Sequence, residues 1–240
     1  MKKSGKKIIS AIGVISIIAV ASIGTIAYFT DSDTATNTFT VGSVHITLDE
    51  AKVNEVGDPV DDTTRVYENE YHLLPGEEYV KDPMLHIEAG SANCYVYVTV
   101  GNQVSDIEKS ELEGNSYRNI AGQMEDHGWK LLKNSSGENV KIDREDPLTD
   151  LDVYVYVGNP VIETGYIVEK TNVQTDIQVF DKFVIDGDSV INGKTGDEKA
   201  PVGKYFIEDY AGKKIVVNGY AVQAEGFETA FDAWDAAIFD

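Results

Sequence analysis

The four histidines of the chain, His45, His72, His86 and His127, are the residues that would first indicate a metal-dependent hydrolase. A zinc peptidase helix carries two histidines four positions apart, with a glutamate between them as the base. The run from His86 to Gly90 places Glu88 two positions after the histidine, but glycine stands where the second histidine belongs. We therefore expect surface or capping histidines and assign no catalytic or metal-binding residue. A zinc site assembled from distant ligands stays open as an alternative.

Two further motifs resemble ligand-binding loops. Gly193-Lys194-Thr195 resembles the end of a phosphate-binding loop, but Asp188 stands where that motif needs its first glycine, and its carboxylate would repel phosphate. The acidic turn at Asp186 and Asp188 lacks the spacing and the closing glutamate of an EF-hand. We expect solvated loops and no cofactor, with weak calcium binding at Asp186 and Asp188, or in the acidic run 143–146, left as an alternative.

The charge of the chain is strongly acidic and unevenly distributed. Its 240 residues include 20 Lys+Arg and 41 Asp+Glu, which gives a formal net charge of −21. Four of the basic residues and none of the acidic ones lie within residues 1–27, so the rest carries 16 basic and 41 acidic residues and a net charge of −25. Such a surface repels phosphate backbones and anionic lipid, so we expect no nucleic-acid partner and no peripheral membrane binding.

The N-terminus has the pattern of a secretory signal peptide. Four lysines precede an uncharged apolar stretch from Ile8 to Ala27, and a polar run begins at Thr30. We predict that residues 1–27 are removed by cleavage between Ala27 and Tyr28, within a residue or two, and that no membrane contact remains afterwards. An uncleaved membrane anchor is the alternative, because about 20 apolar residues can span a bilayer.

The remaining residues, 28–240, are predicted to form one mainly β domain. Short runs of alternating apolar residues mark strands around residues 44–48, 94–100, 153–157, 177–185 and 214–224. Asn218-Gly219 interrupts the last run, where either a bulge or a hairpin turn would fit. The strand number without βαβ alternation predicts an antiparallel β-sandwich of jelly-roll type. Cys94 shares the phase of Val96 and Val98, so we expect a buried, unreactive thiol.

Two helices complete the prediction. One lies between Ser116 and Asp126, inside an insertion from about residue 102 to residue 150. The other is a short C-terminal helix on which Phe227, Phe231, Trp234 and Ile238 recur at helical spacing. We expect this aromatic stripe to pack against a sheet.

Two blocks of sequence resemble the secreted TasA/camelysin family of Gram-positive bacteria. The first runs from Ala27-Tyr28-Phe29-Thr30-Asp31 into the strand at residues 38–48, and the second contains Leu74-Pro75-Gly76-Glu77 and Lys81-Asp82. The resemblance implies processing by a SipW-type signal peptidase, a jelly-roll fold and secretion. For the TasA branch it implies fibres of the biofilm matrix, and for the camelysin branch a surface metalloendopeptidase.

The new N-terminus suggests how such fibres would form. Residues 28–38 are an extended segment in which Thr34, Thr36 and Thr38 lie on one side of the chain and no proline interrupts the backbone. We predict that this self-assembly strand, beginning at Tyr28 and Phe29, adds to the sheet edge of a second copy. A head-to-tail contact of this kind gives an open homo-oligomer, a fibre. The alternative is pairing of the strand within its own domain.

Three functions follow from these observations. The first is a structural matrix protein, whose further partners would be other matrix proteins or polysaccharide. The second is a camelysin-like metalloendopeptidase. The third is a monomeric adhesin or carbohydrate-binding module, in which aromatic rings would stack on sugars. For that module the candidate residues are Tyr154, Tyr156, Tyr166 and Tyr205.

Overall fold

Short antiparallel strands account for most of the regular structure. The computed structural model describes residues 30–33, 44–110, 117–142, 150–158, 164–191 and 204–237. The strands are β1 Thr30–Asp33, β2 Ile46–Ala51, β3 Arg65–Val66, β4 Glu78–Val80, β5 Met84–Ile87, β6 Cys94–Asn102, β7 Trp129–Leu131, β8 Lys141–Ile142, β9 Leu151–Tyr156, β10 Thr175–Gln178, β11 Lys182–Val184, β12 Val190–Ile191, β13 Tyr205–Phe206 and β14 Ile215–Gln223. The helices are α1 Ile120–Asp126, α2 Ala230–Ala236 and a 3-10 turn at Ile207–Tyr210. The mainly β prediction is confirmed.

The larger sheet has six strands in the order β1-β14-β6-β9-β7, with β8 also paired to β9. Its centre is the antiparallel pair of β14 and β6, which are in register along their full length from Ile215 opposite Asn102 to Gln223 opposite Cys94. Two of the predicted strands, 94–100 and 214–224, therefore lie side by side. The register passes through Asn218 opposite Thr99 and Gly219 opposite Val98, so neither the predicted turn nor a bulge forms in this pair.

A four-stranded sheet in the order β10-β5-β2-β3 packs face to face against the larger one. One hydrophobic cluster joins the two sheets, because Ile46 and Leu85 of the smaller sheet pack with Val96 and Val98 of the larger. Cys94 is in the same cluster and fully buried, and burial raises the pKa of its thiol to about 12. The two-sheet arrangement and the buried cysteine agree with the sequence-based expectation. The jelly-roll connectivity stays a prediction.

The outer face of the larger sheet is covered by the C-terminal helix. The alternate residues Tyr95 and Tyr97 of β6 point away from the first cluster into a second one, where Trp234 of α2 lies 4.9 Å from the Tyr97 ring. The Tyr97 hydroxyl donates a 2.7 Å hydrogen bond to the carbonyl of Ala230. Helix α2 begins after its N-cap, Thr229. The predicted packing of the aromatic helix against a sheet is confirmed, but Phe227 precedes the helix instead of lying on it, and Ile238 lies outside the described residues.

The insertion after β6 contains the other predicted helix, α1, which is shorter than the sequence suggested. Its N-cap is Asn119, whose side chain accepts a hydrogen bond from the backbone of Gly122. The buried side chain of Gln123 ties α1 to the start of β11, since its Oε1 accepts from the backbone N–H groups of Asp181 and Lys182. The helix is therefore held to the domain by one polar side chain as well as by apolar packing.

The predicted strand at 177–185 is wrong in one respect: it is two strands in two different sheets. Thr175–Gln178 pairs with β5, whereas Lys182–Val184 pairs with β4. The chain changes sheet at Asp181, the polar break in the apolar pattern. Among the residues that the structure describes, no helix combines the length and the apolarity needed to span a membrane.

Candidate functional site

The edge of the larger sheet at β14 is the first component of the site. The backbone of β1 runs antiparallel along it, with Thr30 opposite Val222 and Asp33 opposite Gly219. Beyond this four-residue contact, the first part of β14 from Ile215 to Val217 is half-buried. Residues 30–33 belong to the predicted self-assembly segment, and in this chain they lie against the chain's own sheet.

A groove of about 1000 Å³ runs beside the same edge. Its walls are the start of β14, the segment 67–74 and the 3-10 turn at Ile207–Tyr210. Phe183 lines the groove, and its ring stacks on that of Tyr79 with the centroids 5.1 Å apart. The groove therefore lies between a half-buried strand edge and a lining of both apolar and polar side chains, a shape that suits an extended peptide.

The carboxylate of Glu50 is a buried polar group in the lining of the groove. It continues the inward phase of Ile46 and Leu48 on β2, and its residue is only 4 % exposed. Its Oε2 forms a close ion pair with Nζ of Lys81, and its Oε1 accepts a 2.9 Å hydrogen bond from Nδ2 of Asn69. Burial raises the pKa of Tyr71. The negative charges of Glu50 and Asp82 raise it further, by a smaller amount.

A second charge network lies on the opposite face of β2. Asp49 pairs closely with Arg65, which also contacts Asp82 at 3.1 Å. Asp49 is 3.0 Å from Nε2 of His86, and Nδ1 of the same ring is 2.7 Å from Asp176. The hydrogen bond with Asp49 is the main cause that raises the pKa of His86, against the opposing effect of burial. Both ring nitrogens therefore face carboxylates, an arrangement that favours a charged imidazolium.

The histidines occupy different environments from one another. His86 is only 8 % exposed and lies in β5, so the expectation of a surface histidine is wrong for this residue, because two carboxylates satisfy its ring inside the sheet. His127 follows α1 as its C-cap residue, and its Nε2 is 2.9 Å from Asp181. His72 is exposed. Within the described ranges no three His, Cys, Asp or Glu side chains are grouped so that they could hold a metal ion.

The acidic turn predicted as a weak calcium site has its own internal hydrogen bonds. The carboxylate of Asp186 accepts from the backbone N–H of Asp188 at 3.0 Å and from the hydroxyl of Ser189. Hydrogen bonds of this kind are those of an Asx turn. Calcium binding at Asp186 and Asp188 remains a prediction.

The four tyrosines proposed as a sugar platform belong to separate ring clusters. Tyr156 packs against Tyr166, with ring centroids 5.7 Å apart, and Tyr205 packs against Tyr210 at 6.2 Å. Tyr154 is half-buried against the hydrophobic cluster between the sheets. These contacts explain the residues by packing.

Several predicted residues lie outside the described residues. They are Ala27 and Tyr28 at the expected cleavage site, Phe29, Thr34, Thr36 and Thr38 of the self-assembly strand, the loop containing Lys194, and the acidic run 143–146. Conversely, Glu50 and Asn69 are not among the residues predicted from the sequence. The available signal was an acidic residue at an inward position of an apolar strand, four residues after Ile46.

Comparison with known proteins adds a relationship for the N-terminal part. Residues 1–72 match the model of the camelysin metallo-endopeptidase family. No curated protein and no solved structure gives a match. The match includes the first of the two blocks on which the sequence resemblance rests, the one from Ala27 into the strand at residues 38–48, whereas the second block, from Leu74 to Asp82, lies beyond it. Over residues 1–72, less than a third of the chain, the sequence is therefore similar to the camelysin family, in agreement with the resemblance of its first block.

Proposed function

We propose that the chain is an exported structural subunit that assembles head to tail into fibres of the extracellular biofilm matrix. In each contact, the N-terminal strand of one subunit would add to the β14 edge of the next. The observation that carries the proposal is the antiparallel register of Thr30–Asp33 on Gly219–Val222 at the rim of the larger sheet. A segment that fits this edge in its own chain also fits the identical edge of a second copy.

The pairing of β1 with β14 favours exchange between copies. Within the described residues, four positions of β1 pair with β14, and the hydrogen bonds lost when these four leave their own domain form again in the neighbour. Exchange of an identical element is a low-cost route to association, and a contact that does not close on itself yields filaments. The half-buried residues Ile215 to Val217 extend the edge beyond β1.

The groove beside the edge offers the incoming strand additional side-chain contacts. In the assembled fibre, the incoming strand of one subunit would pair with β14 of the next. If it keeps the register of β1, its Thr34 would stand opposite Asn218 and its Thr36 opposite Val216. Ile215 and Val217 border the same groove of about 1000 Å³. An added strand would cover this apolar edge, which unpaired would be a site of unspecific aggregation.

The leader and the family relationship support an extracellular location. The basic start and the apolar stretch to Ala27 are those of a secretory leader. Residues 1–72 match the camelysin family. We propose removal of residues 1–27 by a SipW-type signal peptidase, which would free Tyr28 as the new N-terminus, and matrix proteins or polysaccharide as further partners.

Deletion of the strand is the direct test. The mature chain 28–240 and the same chain without residues 28–38 are purified and examined by electron microscopy under identical conditions. We expect fibres from the first and isolated particles from the second, while both keep the same circular dichroism spectrum. Equal fibre formation by the shortened chain would refute the strand-addition mechanism.

A disulfide variant separates pairing within a chain from pairing between chains. Asp31 stands opposite Ala221, so the double substitution Asp31→Cys and Ala221→Cys places two thiols at adjacent cross-strand positions. Oxidation of monomers before assembly should lock the strand in its own domain and prevent fibres. Oxidation of assembled fibres should give a covalent ladder on non-reducing gels. Fibres that grow from locked monomers would contradict the proposal. The reduced variant is the control.

A metalloendopeptidase is the second candidate, because the matched family is described by that activity. A casein digestion assay with and without chelator tests it on the mature chain. Chelator-sensitive digestion that disappears when all four histidines are replaced by glutamine would establish this function. Digestion that is unaffected by these substitutions would point to a contaminating protease.

A further inference from the structure

Three side chains from different parts of the chain meet at the floor of the groove, and we call them the Lys81–Glu50–Asn69 triad. Glu50 lies on β2, Lys81 follows β4, and Asn69 follows β3. Glu50 and Lys81 are 4 % and 9 % exposed. One carboxylate contacts both other groups, with Oε2 on Nζ of Lys81 and Oε1 at 2.9 Å from Nδ2 of Asn69.

An ion pair at this depth gives little stability by itself. The removal of a carboxylate and an ammonium from water offsets much of their attraction, and apolar residues of similar volume are often as stabilising. An apolar residue would also fit the position of Glu50, since the residues two and four places earlier on the same face, Leu48 and Ile46, are apolar and buried. The third member, an uncharged side-chain amide, suggests a chemical role.

An amine, an amide and a shared carboxylate are the components of an acyl transfer. We propose that Nζ of Lys81 attacks the side-chain carbonyl carbon of Asn69, so that the two residues become joined by an intramolecular isopeptide bond. The carboxylate of Glu50 serves as the proton carrier between them. The proposal does not depend on fibre assembly.

The atoms balance without any co-reactant. Oε2 of Glu50 takes a proton from the Lys81 ammonium, and the neutral amine adds to Cγ of Asn69 to form the new C–N bond. The tetrahedral intermediate collapses when Glu50 delivers a proton to Nδ2, which breaks the old C–N bond and releases ammonia. A second proton passes from Nζ to the ammonia, which leaves as ammonium. Glu50 ends as a carboxylate, as it began.

Hydrogen bonds orient the side-chain amide of Asn69 and polarise its carbonyl group for attack by an amine. The backbone N–H of Val53 donates a 3.0 Å hydrogen bond to Oδ1, where negative charge develops in the intermediate. Nδ2 donates to Glu50 and also, at 2.8 Å, to the carbonyl of Ala51. The amide is thus fixed at both ends, and its nitrogen faces the proton donor that the departure of ammonia requires.

The groove provides shielding and an exit. The Tyr71 ring lies 5.9 Å from Nζ of Lys81, and its hydroxyl is held by a 3.0 Å hydrogen bond to the carbonyl of Val80. Lys81, Glu50 and Asn69 all line the groove, so ammonia can leave to solvent. The new bond would close a covalent ring from residue 69 to residue 81, around the turn at Pro75 and Gly76.

Intact mass spectrometry tests the proposal. The purified mature chain, unfolded for the measurement, should weigh about 17 Da less than its sequence, the mass of one ammonia. Trypsin should fail to cleave after Lys81, and fragmentation should locate the link between Asn69 and Lys81. A loss of the same size at Asn218, which precedes a glycine, would be a succinimide and would count against the proposal.

Substitutions assign the roles within the triad. Lys81→Arg and Glu50→Gln should each restore the full sequence mass, the first by removing the nucleophile and the second by removing the proton carrier. Asn69→Asp should still react but release water, a loss of about 18 Da from its own sequence mass. Lys182→Arg is the matched control: its lysine pairs with Glu78 at 2.8 Å on the surface, and the variant should keep the loss of ammonia.

Folding must be verified because the triad is buried. Circular dichroism and a cooperative unfolding transition identify variants that fold, and Asn69→Asp keeps the proposal testable where Glu50→Gln does not fold. A folded wild-type chain that keeps its full sequence mass after days at neutral pH would overturn the proposal. So would a cross-link that persists in folded Glu50→Gln.

Discussion

The Nδ1 atom of His86 lies 2.7 Å from Oδ1 of Asp176, so one imidazole joins strand β10 to the interior of the four-stranded sheet. Through Nε2 the same ring contacts Asp49 of β2 at 3.0 Å. Arg65 pairs with Asp49 from the other side. Three neighbouring strands, β10, β5 and β2, are therefore connected by one titratable side chain in addition to their backbone hydrogen bonds.

This connection predicts that stability depends on pH through His86. Its pKa is raised in the folded chain, so its contribution is complete below the ordinary histidine value of 6.5 and is lost as the pH rises through the raised pKa. We expect His86→Gln to cost roughly 1–2 kcal/mol in weakly acidic solution and less in alkaline solution. Urea unfolding at several pH values measures this difference. The control is His72→Gln, at an exposed histidine, and a cost independent of pH would contradict the prediction.

Gln123 predicts a different kind of loss. Its Oε1 accepts from the backbones of Asp181 and Lys182, and its Nε2 donates to the carbonyls of Arg118 and Lys182. Gln123→Met keeps most of the volume but leaves these backbone groups without their partner, at an expected cost of about 2–3 kcal/mol. Gln123→Glu keeps the acceptor and should cost less. Chemical denaturation compares the two, and equal costs would show that packing of the side chain matters more than its hydrogen bonds.

The sequence predicted the strands well where apolar residues alternate, and the reason is visible in β6. Cys94, Val96 and Val98 face one cluster while Tyr95 and Tyr97 face the other, so both phases carry large residues suited to burial. Residues that touch only in three dimensions could not be predicted in this way. Lys81 and Glu50 are 31 positions apart and Asn69 and Glu50 are 19 apart, and no local period relates them.

Asn218-Gly219 shows a different limit of prediction. This dipeptide is typical of turns, yet it lies in a straight strand where Nδ2 of Asn218 donates to the Thr99 hydroxyl at 3.1 Å. The glycine has another purpose, because a Cβ at position 219 would stand 2.5 Å from Cδ1 of Leu85 in the opposite sheet. A glycine can therefore be required either by a turn or by the close approach of two sheets, and the Asn-Gly dipeptide alone does not distinguish the two.

That close approach can be tested by substitution. Gly219→Ala should destabilise the chain by about 1–3 kcal/mol, because Leu85 is fully buried and must move to admit the methyl group. Leu85→Ala leaves room, so in the Leu85→Ala background the same substitution should cost much less. The coupling free energy from urea unfolding of the four proteins measures the effect. Additive costs would mean that Gly219 matters for another reason, such as its backbone pairing.

The acidity of the subunit predicts how fibre growth responds to salt, if the proposed assembly is correct. Without residues 1–27 each copy carries a net charge of −25, so every contact brings two strongly negative bodies together. Screening shortens the range of this repulsion from about 10 Å at 0.1 M salt to about 3 Å at 1 M. Growth followed by light scattering and electron microscopy should become faster with added salt, and also as the pH falls towards the pI of about 4.4. Sucrose is the uncharged control. Growth that slows with salt would contradict the prediction. It would indicate that attraction between opposite charges drives the association, instead of strand pairing that overcomes the repulsion between the subunits.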